Sequence, residues 1–258
     1  MNPWVLSAGT RAAPPLRLLC LPAAGAGASM YREWARRLPS EVEVLPVQLP
    51  GREGRLAEPP VEDYLAAVKA LADGIGPLLD GPYVLFGHSM GALLAFGLAA
   101  LRREDGLRQP ERLIVSGMPA PNRYDRAGEH ALAESDDDGL VASLVERGGT
   151  AGAALANPEL LALVLPTLRA DYRVCASLPE WTGEPFDFPI DVLSGADDDI
   201  TADALDDWRH CTRGRTGVRT FPGGHFYLTG ESEDAVLDAV AATLAGPRDE
   251  PRGVPSGR

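Results

Sequence analysis

The sequence predicts an α/β fold with a mostly parallel central sheet flanked by helices. Six apolar runs of strand length alternate with longer helical patterns, and continuous apolar strands are typical of a sheet covered on both faces. The predicted strands are Leu16–Leu21, Val42–Val47, Pro82–Phe86, Arg112–Ser116, Ile190–Ser194 and Val218–Phe221. The predicted helices are Met30–Leu38, Val61–Leu79, Ala92–Arg103, Ala202–Arg209 and Asp234–Leu244.

Residues 121–188 break this alternation. They contain helical patterns over Leu140–Glu146 and Pro158–Ala176 and no clear strand. A loop of this length without secondary structure is uncommon in a compact domain, so we predict a helical lid inserted into a core formed by residues 1–120 and 189–246. The alternative is a set of extra packing helices. Residues 247–258 are rich in Pro, Gly, Arg and Asp, which predicts a disordered tail.

The bulk composition excludes several classes of protein. The 258-residue chain is 45% apolar and 24% charged, as is usual for a globular protein. It contains no apolar stretch of membrane-spanning length and no export signal, so we expect a cytoplasmic protein that does not contact a membrane. The three cysteines have no C-x-x-C spacing, so neither a disulfide framework nor a zinc site is indicated.

The charge is unevenly distributed along the chain. Residues 1–120 carry 12 basic and 12 acidic residues, whereas residues 121–258 carry 12 basic and 25 acidic residues. The net charge of −13 therefore comes from the second half. We expect no nucleic-acid binding, because contacts to phosphate need clustered lysines and arginines.

The run Gly87–Gly91 reads Gly-His-Ser-Met-Gly and joins a predicted strand to a predicted helix. A strand that turns sharply into a helix at a serine needs glycines two positions before and after it, because a Cβ there would crowd the turn. The turn holds the serine Oγ at the carboxyl end of the strand, above the positive end of a helix. The pattern predicts the nucleophile elbow of a serine hydrolase, with Ser89 as nucleophile. The alternative is an ordinary glycine-rich turn.

A serine nucleophile needs a base to accept its proton and a carboxylate to orient that base. In the α/β-hydrolase arrangement, the acid and then the histidine follow the serine, each on a loop after a strand. His225 follows the last predicted strand in a glycine-rich turn and is the predicted base, whereas His88 is expected to point away from the reaction. Asp198 fits the Gly-x-x-Asp spacing of the acid loop, with Asp197 as the alternative. The remaining acids of this loop are free to cap the helix that begins near Thr201.

The oxyanion of a tetrahedral intermediate needs two backbone N–H donors. Met90, the residue after the nucleophile, supplies one of them. The loop after the first strand, residues 22–27, consists of Pro, Ala and Gly, so its backbone can approach an acyl group closely. Ala24 is the predicted second donor and Gly25 the alternative. A dinucleotide-binding loop is disfavoured because the pattern lacks a third glycine and no acidic residue ends the second strand.

Four further segments carry a family resemblance. Residues 21–26, Leu-Pro-Ala-Ala-Gly-Ala, are similar to a Phe-Pro-His-Ala-Gly-Gly oxyanion loop, with Ala23 where the family usually has histidine. Residues 48–55 are similar to its Pro-Gly-Arg-x-x-Arg segment, and residues 168–173 to its Leu-Arg-Ala-Asp lid helix. Residues 223–226 match its histidine loop, Gly-Gly-His-Phe. From about residue 15 to 245, the chain resembles the type II thioesterases that accompany modular polyketide and nonribosomal peptide synthases.

This resemblance implies a serine thioesterase of the α/β-hydrolase fold that releases acyl groups from the phosphopantetheine arm of acyl or peptidyl carrier proteins. Such an enzyme edits or unblocks a synthase during antibiotic biosynthesis. It needs no cofactor and no metal of its own, because the substrate carries the phosphopantetheine. We expect it to act as a monomer.

Carrier proteins of this kind are generally acidic, so the docking surface is expected in the first half of the chain, which has no net charge. Arg32, Arg36 and Arg37 recur on one predicted helix, and Arg52 and Arg55 follow the second strand. The alternative is a solvated helix face and a structural arginine within the Pro-Gly-Arg turn. Candidates for the acyl site, which would otherwise be plain core, are Tyr31, Met90, Tyr172, Trp181 and Phe226.

Three other functions compete with this interpretation. A general carboxylesterase would share the fold and the catalytic residues. A product-releasing, cyclising thioesterase is usually the carboxyl-terminal domain of a synthase, whereas we expect a stand-alone chain that begins at Met1. A non-catalytic binding protein of this fold typically lacks one member of the triad, and all three candidates are present here.

Overall fold

The computed structural model describes residues 2–6, 14–148 and 157–246. Its centre is a six-stranded parallel sheet with the strand order β2-β1-β3-β4-β5-β6. The strands are β1 (Leu16–Leu21), β2 (Val42–Pro46), β3 (Tyr83–His88), β4 (Arg112–Ser116), β5 (Ile190–Gly195) and β6 (Thr216–Phe221). All six predicted strands are present, with ends that differ from the prediction by at most two residues. The order reverses between β1 and β3, so the loops after these two strands lie side by side.

The described α-helices are α1 (Trp34–Arg37), α2 (Tyr64–Ile75), α3 (Met90–Glu104), α4 (Arg126–Ala133), α5 (Asp137–Glu146), α6 (Pro158–Ala176), α7 (Ala202–Asp206) and α8 (Glu233–Ala245). The predicted helix Met30–Leu38 is wrong as one unit: it is a 3-10 turn, Ala28–Tyr31, followed by the short α1. The helix predicted over Val61–Leu79 begins later, because the Asp63 side chain accepts a hydrogen bond from Ala66 N and caps α2.

Alternate residues of the central strands face two different hydrophobic layers. In β1, Leu19 and Leu21 pack into the layer that contains α2 and α3, whereas Leu18 and Cys20 pack into the layer that contains α1 and α8. Successive side chains of a strand point to opposite faces, so a strand covered on both sides is mostly apolar. This is why residues 18–21 of β1 form a continuous apolar run. Helix α3 is buried along nearly its whole length, in agreement with its apolar sequence.

Helices α4, α5 and α6 lie between β4 and β5 and share a small core of their own. Leu140 and Leu144 of α5 pack there against Leu165, Leu168 and the ring of Tyr172 on α6. Helix α4 was not expected, because only two of its eight residues are buried and Leu132 is its one large apolar residue. The action of this insertion as a lid stays a prediction, and the tail predicted over 247–258 lies outside the described residues.

Candidate active site

Ser89 lies at the sharp turn between β3 and α3. Its backbone has φ 53° and ψ −122°, a conformation that side-chain-bearing residues rarely adopt and that stores strain. A Cβ on Gly87 would lie 2.2 Å from the carbonyl oxygen of Gly91, and a Cβ on Gly91 would lie 2.2 Å from that of Leu21. Both glycines are therefore required by close backbone contacts. The turn places Ser89 at the carboxyl edge of the sheet, as the elbow pattern predicts.

The turn also positions a backbone donor. Helix α3 begins at Met90, so the Met90 N–H has no carbonyl four residues earlier within the helix. The amide of Ser89 donates to the carbonyl of Ser116 in β4, at 2.8 Å, and thereby ties the elbow to the neighbouring strand. Ser89 itself is only 4% exposed. The candidate nucleophile is thus covered in this conformation.

His225 and Asp198 meet at the same edge of the sheet. His225 Nδ1 lies 2.9 Å from Asp198 Oδ2, in a partly buried pair. The other carboxylate oxygen, Oδ1, accepts the Asp199 N–H at 2.9 Å, so both oxygens have partners. The loops after β5 and β6 are joined by a backbone hydrogen bond from Asp197 N to the carbonyl of Gly223, 3.0 Å long. This arrangement fixes the ring of His225.

The other ring nitrogen of His225 is available for proton transfer. His225 Nε2 is buried and has no hydrogen-bond partner in the part of the chain that the structure describes, which includes Ser89. The hydrogen bond expected between Ser89 and His225 is therefore not formed in this conformation. Catalytic hydrogen bonds often tighten only when substrate binds, so the pair stays a candidate.

The three aspartates of the β5 loop have different surroundings. Asp197 and Asp199 are exposed, whereas the Asp198 side chain is 8% exposed and bonded to the imidazole. The expected capping of the next helix by one of these acids is wrong. Thr201 caps α7 instead, because its hydroxyl accepts the Ala204 N–H at 3.3 Å.

His88 lies closer to the candidate base than the sequence suggests. Its ring centroid is 5.0 Å from that of His225, so the expectation that it points away is wrong. His88 Nδ1 lies 2.9 Å from Ser116 Oγ, which in turn lies 2.6 Å from the hydroxyl of Tyr227. Complete burial lowers the pKa of His88 well below its usual value, and the neighbouring His225 adds to this effect. His88 is therefore a neutral neighbour of the base.

The loop after β1 runs directly against the elbow, since the carbonyls of Leu21 and Pro22 contact Gly91. Within it, the Gly25 N–H donates to Asp171 Oδ2 of α6 at 2.7 Å. An amide that is already bonded in this way is unsuited to bind an oxyanion, which removes Gly25 as the alternative donor. Ala24 stays the predicted donor.

The arginines proposed for docking fall into two groups. Arg52 and Arg55 are 6% and 9% exposed and are bonded to Asp171 and Glu58 respectively, so they are not available to a partner. Arg32, Arg36 and Arg37 are exposed. Of these, Arg36 pairs with Glu33 on its own helix, and Arg37 pairs with the first turn of α8.

The candidate acyl-site residues lie in different parts of the structure. Met90 lines a cavity of about 20 Å³, which has room for about one water molecule. Phe226 packs edge-on against the rings of both His88 and His225. Tyr31 and Trp181 belong to aromatic clusters of the two core layers. An acyl chain beside Met90 requires surrounding side chains to move.

Two other features concern metals and membranes. Among the described residues, no three or more His, Cys, Asp or Glu side chains are grouped as a metal site would require. Every helix in the described ranges is too short or too polar to cross a membrane.

A parallel sheet with a strained serine turn after β3, and an acid and a histidine after later strands, defines the α/β-hydrolase class. The chain belongs to the thioesterase domain family, whose model it matches over residues 16–244. It is therefore an enzyme that hydrolyses thioesters, as its sequence predicts.

Individual relatives agree with this assignment. The gramicidin S biosynthesis protein GrsT of Aneurinibacillus migulanus is 38% identical over 245 residues, which are 95% of this chain and 94% of that protein. RedJ, a thioesterase from the prodiginine pathway in Streptomyces coelicolor, has a TM-score of 0.84 and 39% identity, covering 90% of this chain and 91% of RedJ. BorB, a type II thioesterase from the borrelidin biosynthetic cluster, has a TM-score of 0.83 and 37% identity, covering 93% of this chain and 97% of BorB. The resemblance to type II thioesterases is confirmed.

Proposed function

We propose that this thioesterase hydrolyses acyl groups from the phosphopantetheine arm of an acyl or peptidyl carrier protein, and so unblocks a polyketide or nonribosomal peptide synthase. The main support is that relatives named for biosynthetic pathways match this chain over nearly their whole length. The partly buried Asp198–His225 pair and the strained Ser89, all at the carboxyl edge of the sheet, include the groups that the reaction needs.

In the proposed reaction, Ser89 Oγ attacks the thioester carbonyl while His225 Nε2 accepts its proton. The Met90 and Ala24 N–H groups hold the resulting oxyanion. The carbon–sulfur bond then breaks, and the pantetheine sulfur leaves as a thiol after it receives a proton from His225. Water, deprotonated by His225, attacks the acyl-serine, which releases the carboxylic acid and restores Ser89. Asp198 holds the imidazole in the required tautomer and stabilises its charged form.

We assign the covering of the site to the insertion formed by α4–α6. Ser89 is 4% exposed and the cavity beside Met90 is small, so substrate entry requires a covering segment to move. Helix α6 lies against the loop after β1, since Leu168 would be 3.1 Å from a Cβ on Gly25. Its position fits that of a lid.

The test is hydrolysis of a carrier protein loaded with acyl-phosphopantetheine, compared with a matched oxygen ester and a small N-acetylcysteamine thioester. We expect fastest turnover on the carrier-bound thioester, and none with Ser89→Ala. Equal rates on the oxygen ester would indicate a general carboxylesterase, and a cyclised product would indicate a product-releasing enzyme. Activity that persists in Ser89→Ala would refute the assignment of the nucleophile.

Docking to an acidic carrier is assigned to the exposed Arg32 and Arg36. Reversal of both to Glu should raise KM for the carrier-bound substrate and leave the small thioester unaffected, because only the carrier contacts this surface. Lys69→Glu, an exposed charge on α2, is the matched control. An unchanged KM in the double reversal would exclude this surface.

A further inference from the structure

A buried ion pair joins the insertion to the loops at the carboxyl edge of the sheet. Arg52, in the turn after β2, makes two parallel hydrogen bonds to Asp171 of α6, 2.7 Å and 2.8 Å long. The two side chains are 7% and 3% exposed. The same segments are joined again by Thr167, whose hydroxyl donates to the carbonyl of Gly51 at 2.7 Å. The turn after β2 and helix α6 are thus held together at this point.

Both members of the pair also bind the loop after β1. Asp171 Oδ2 accepts the Gly25 N–H at 2.7 Å, and Arg52 Nη1 donates to the carbonyl of Ala26 at 3.1 Å. Gly25 has a φ of +71°, a left-handed conformation that a glycine adopts without strain. The ion pair therefore holds one N–H and one carbonyl of the segment that immediately follows Ala24.

We infer that Arg52 and Asp171 are positioning residues for the oxyanion hole. The inference rests on the proposed function, in which the Ala24 N–H binds the oxyanion. An oxyanion hole is effective only when its donors are already in place before charge develops. The loop 22–27 has small side chains and an internal backbone hydrogen bond from Ala26 N to the carbonyl of Ala23, 3.1 Å long, and the ion pair adds two hydrogen bonds that hold it against α6 and the turn after β2.

The energetics of buried ion pairs support a role beyond stability. Removing two charges from water costs free energy that their attraction often fails to offset, and apolar replacements are frequently as stable. A pair kept in this environment, which also bonds Gly25 and Ala26 of the loop after β1, is better explained by the geometry that it imposes. Because Asp171 lies on α6, displacement of that helix would also release the Gly25 N–H and disturb the oxyanion hole.

The experiment compares Asp171→Asn, Arg52→Lys and the double variant Arg52→Met/Asp171→Leu with the wild type. The matched control is Glu43→Gln. Glu43 forms a comparably buried pair with Arg17, 2.9 Å long, near the amino-terminal ends of β1 and β2 and thus at the end of the strands opposite to the candidate site. The measurements are kcat and KM on a p-nitrophenyl ester and a small thioester, inhibition by an alkyl boronic acid that forms a tetrahedral adduct with serine, and unfolding in urea.

We expect Asp171→Asn and Arg52→Lys to lower kcat by about 10- to 100-fold, with KM changed by less than about threefold. Boronic acid binding should weaken by a similar factor. The double variant should recover stability but keep the low kcat, because the Gly25 N–H still lacks its acceptor. Glu43→Gln should lose stability and keep its kcat.

Single variants with wild-type kcat would overturn the inference. Recovery of kcat together with stability in the double variant would do so as well, because the pair would then be only a structural contact. Failure of the wild type to act on carrier-bound thioesters would instead refute the proposed function. The ester and boronic acid measurements report on the oxyanion hole in either case, so the two failures are distinguishable.

Discussion

The replacement Gly91→Ala tests how closely the elbow and the oxyanion loop are packed. A Cβ at this position would lie 2.2 Å from the carbonyl oxygen of Leu21, 2.6 Å from its carbonyl carbon and 2.8 Å from the carbonyl oxygen of Pro22. All three atoms belong to the backbone, at the last residue of β1 and the first residue of the loop that follows it. No side-chain rotation can relieve the contact, so the helix and the loop must separate.

The size of the effect follows from these distances. Ordinary contacts of a Cβ begin near 3.4 Å, so the backbone must shift by more than 1 Å. Forcing an extra methyl group into a packed site costs about 1–3 kcal/mol. An alanine in a helix gains up to about 1 kcal/mol over glycine, which offsets part of this cost. We expect a net destabilisation of about 1–2 kcal/mol. We also expect a fall in kcat on the order of 100-fold, because the reacting groups are displaced by about 1 Å.

The assays are urea unfolding and steady-state hydrolysis of a small thioester. The control is Gly217→Ala in β6, where a Cβ would meet no atom within 4 Å. This variant should be as stable as the wild type or more stable by up to about 1 kcal/mol, with an unchanged kcat. A Gly91→Ala enzyme with wild-type stability and turnover would refute the reasoning, because the elbow would then have room for a side chain.

Three other predictions follow from single contacts. Asp198→Asn should lower kcat by roughly 10³- to 10⁴-fold, because the amide favours the wrong imidazole tautomer, whereas Asp197→Asn should retain activity. The wild type should lose stability below about pH 6.5, and His88→Gln should abolish this loss; urea unfolding from pH 7 to 5 measures it. Leu168→Ala, in the core of the insertion, should cost about 2–5 kcal/mol, against less than about 0.5 kcal/mol for the exposed Leu163→Ala.

The sign of the His88 prediction follows from its lowered pKa. The folded protein keeps this ring neutral, whereas the unfolded chain takes up a proton below about pH 6.5. The contribution to stability is therefore complete above that pH and is lost on acidification, by up to about 1.4 kcal/mol per pH unit. A wild type and a His88→Gln variant with parallel pH profiles would contradict it.

Specific results would also contradict the predictions for the aspartate variants and for the leucine variants. If Asp197→Asn abolishes turnover and Asp198→Asn does not, the other carboxylate orients the base. Equal stability losses in Leu168→Ala and Leu163→Ala would mean that the insertion has no packed core of its own.

Much of the fold is encoded locally and could be predicted from the sequence. A strand buried on both faces is mostly apolar, so residues 18–21 of β1 and 83–86 of β3 are visible in the sequence as continuous apolar runs. The elbow is visible because the turn at Ser89 excludes side chains on both sides. Helix α4 is not visible in this way, because only two of its eight residues are buried.

The candidate site likewise has features that the sequence determined and features that only the tertiary structure decided. By itself, the sequence determined the order of the candidate serine, acid and histidine and the strands that they follow, because each depends on residues close together in the chain. Only the tertiary structure decided that Asp198 rather than Asp197 faces His225, that His88 lies beside that ring, and that Asp171 occupies the Gly25 amide. Those choices depend on contacts between segments 27 to 146 residues apart. The spacing of residues within one short segment does not show which of several neighbouring polar groups will contact a segment that is distant in the chain.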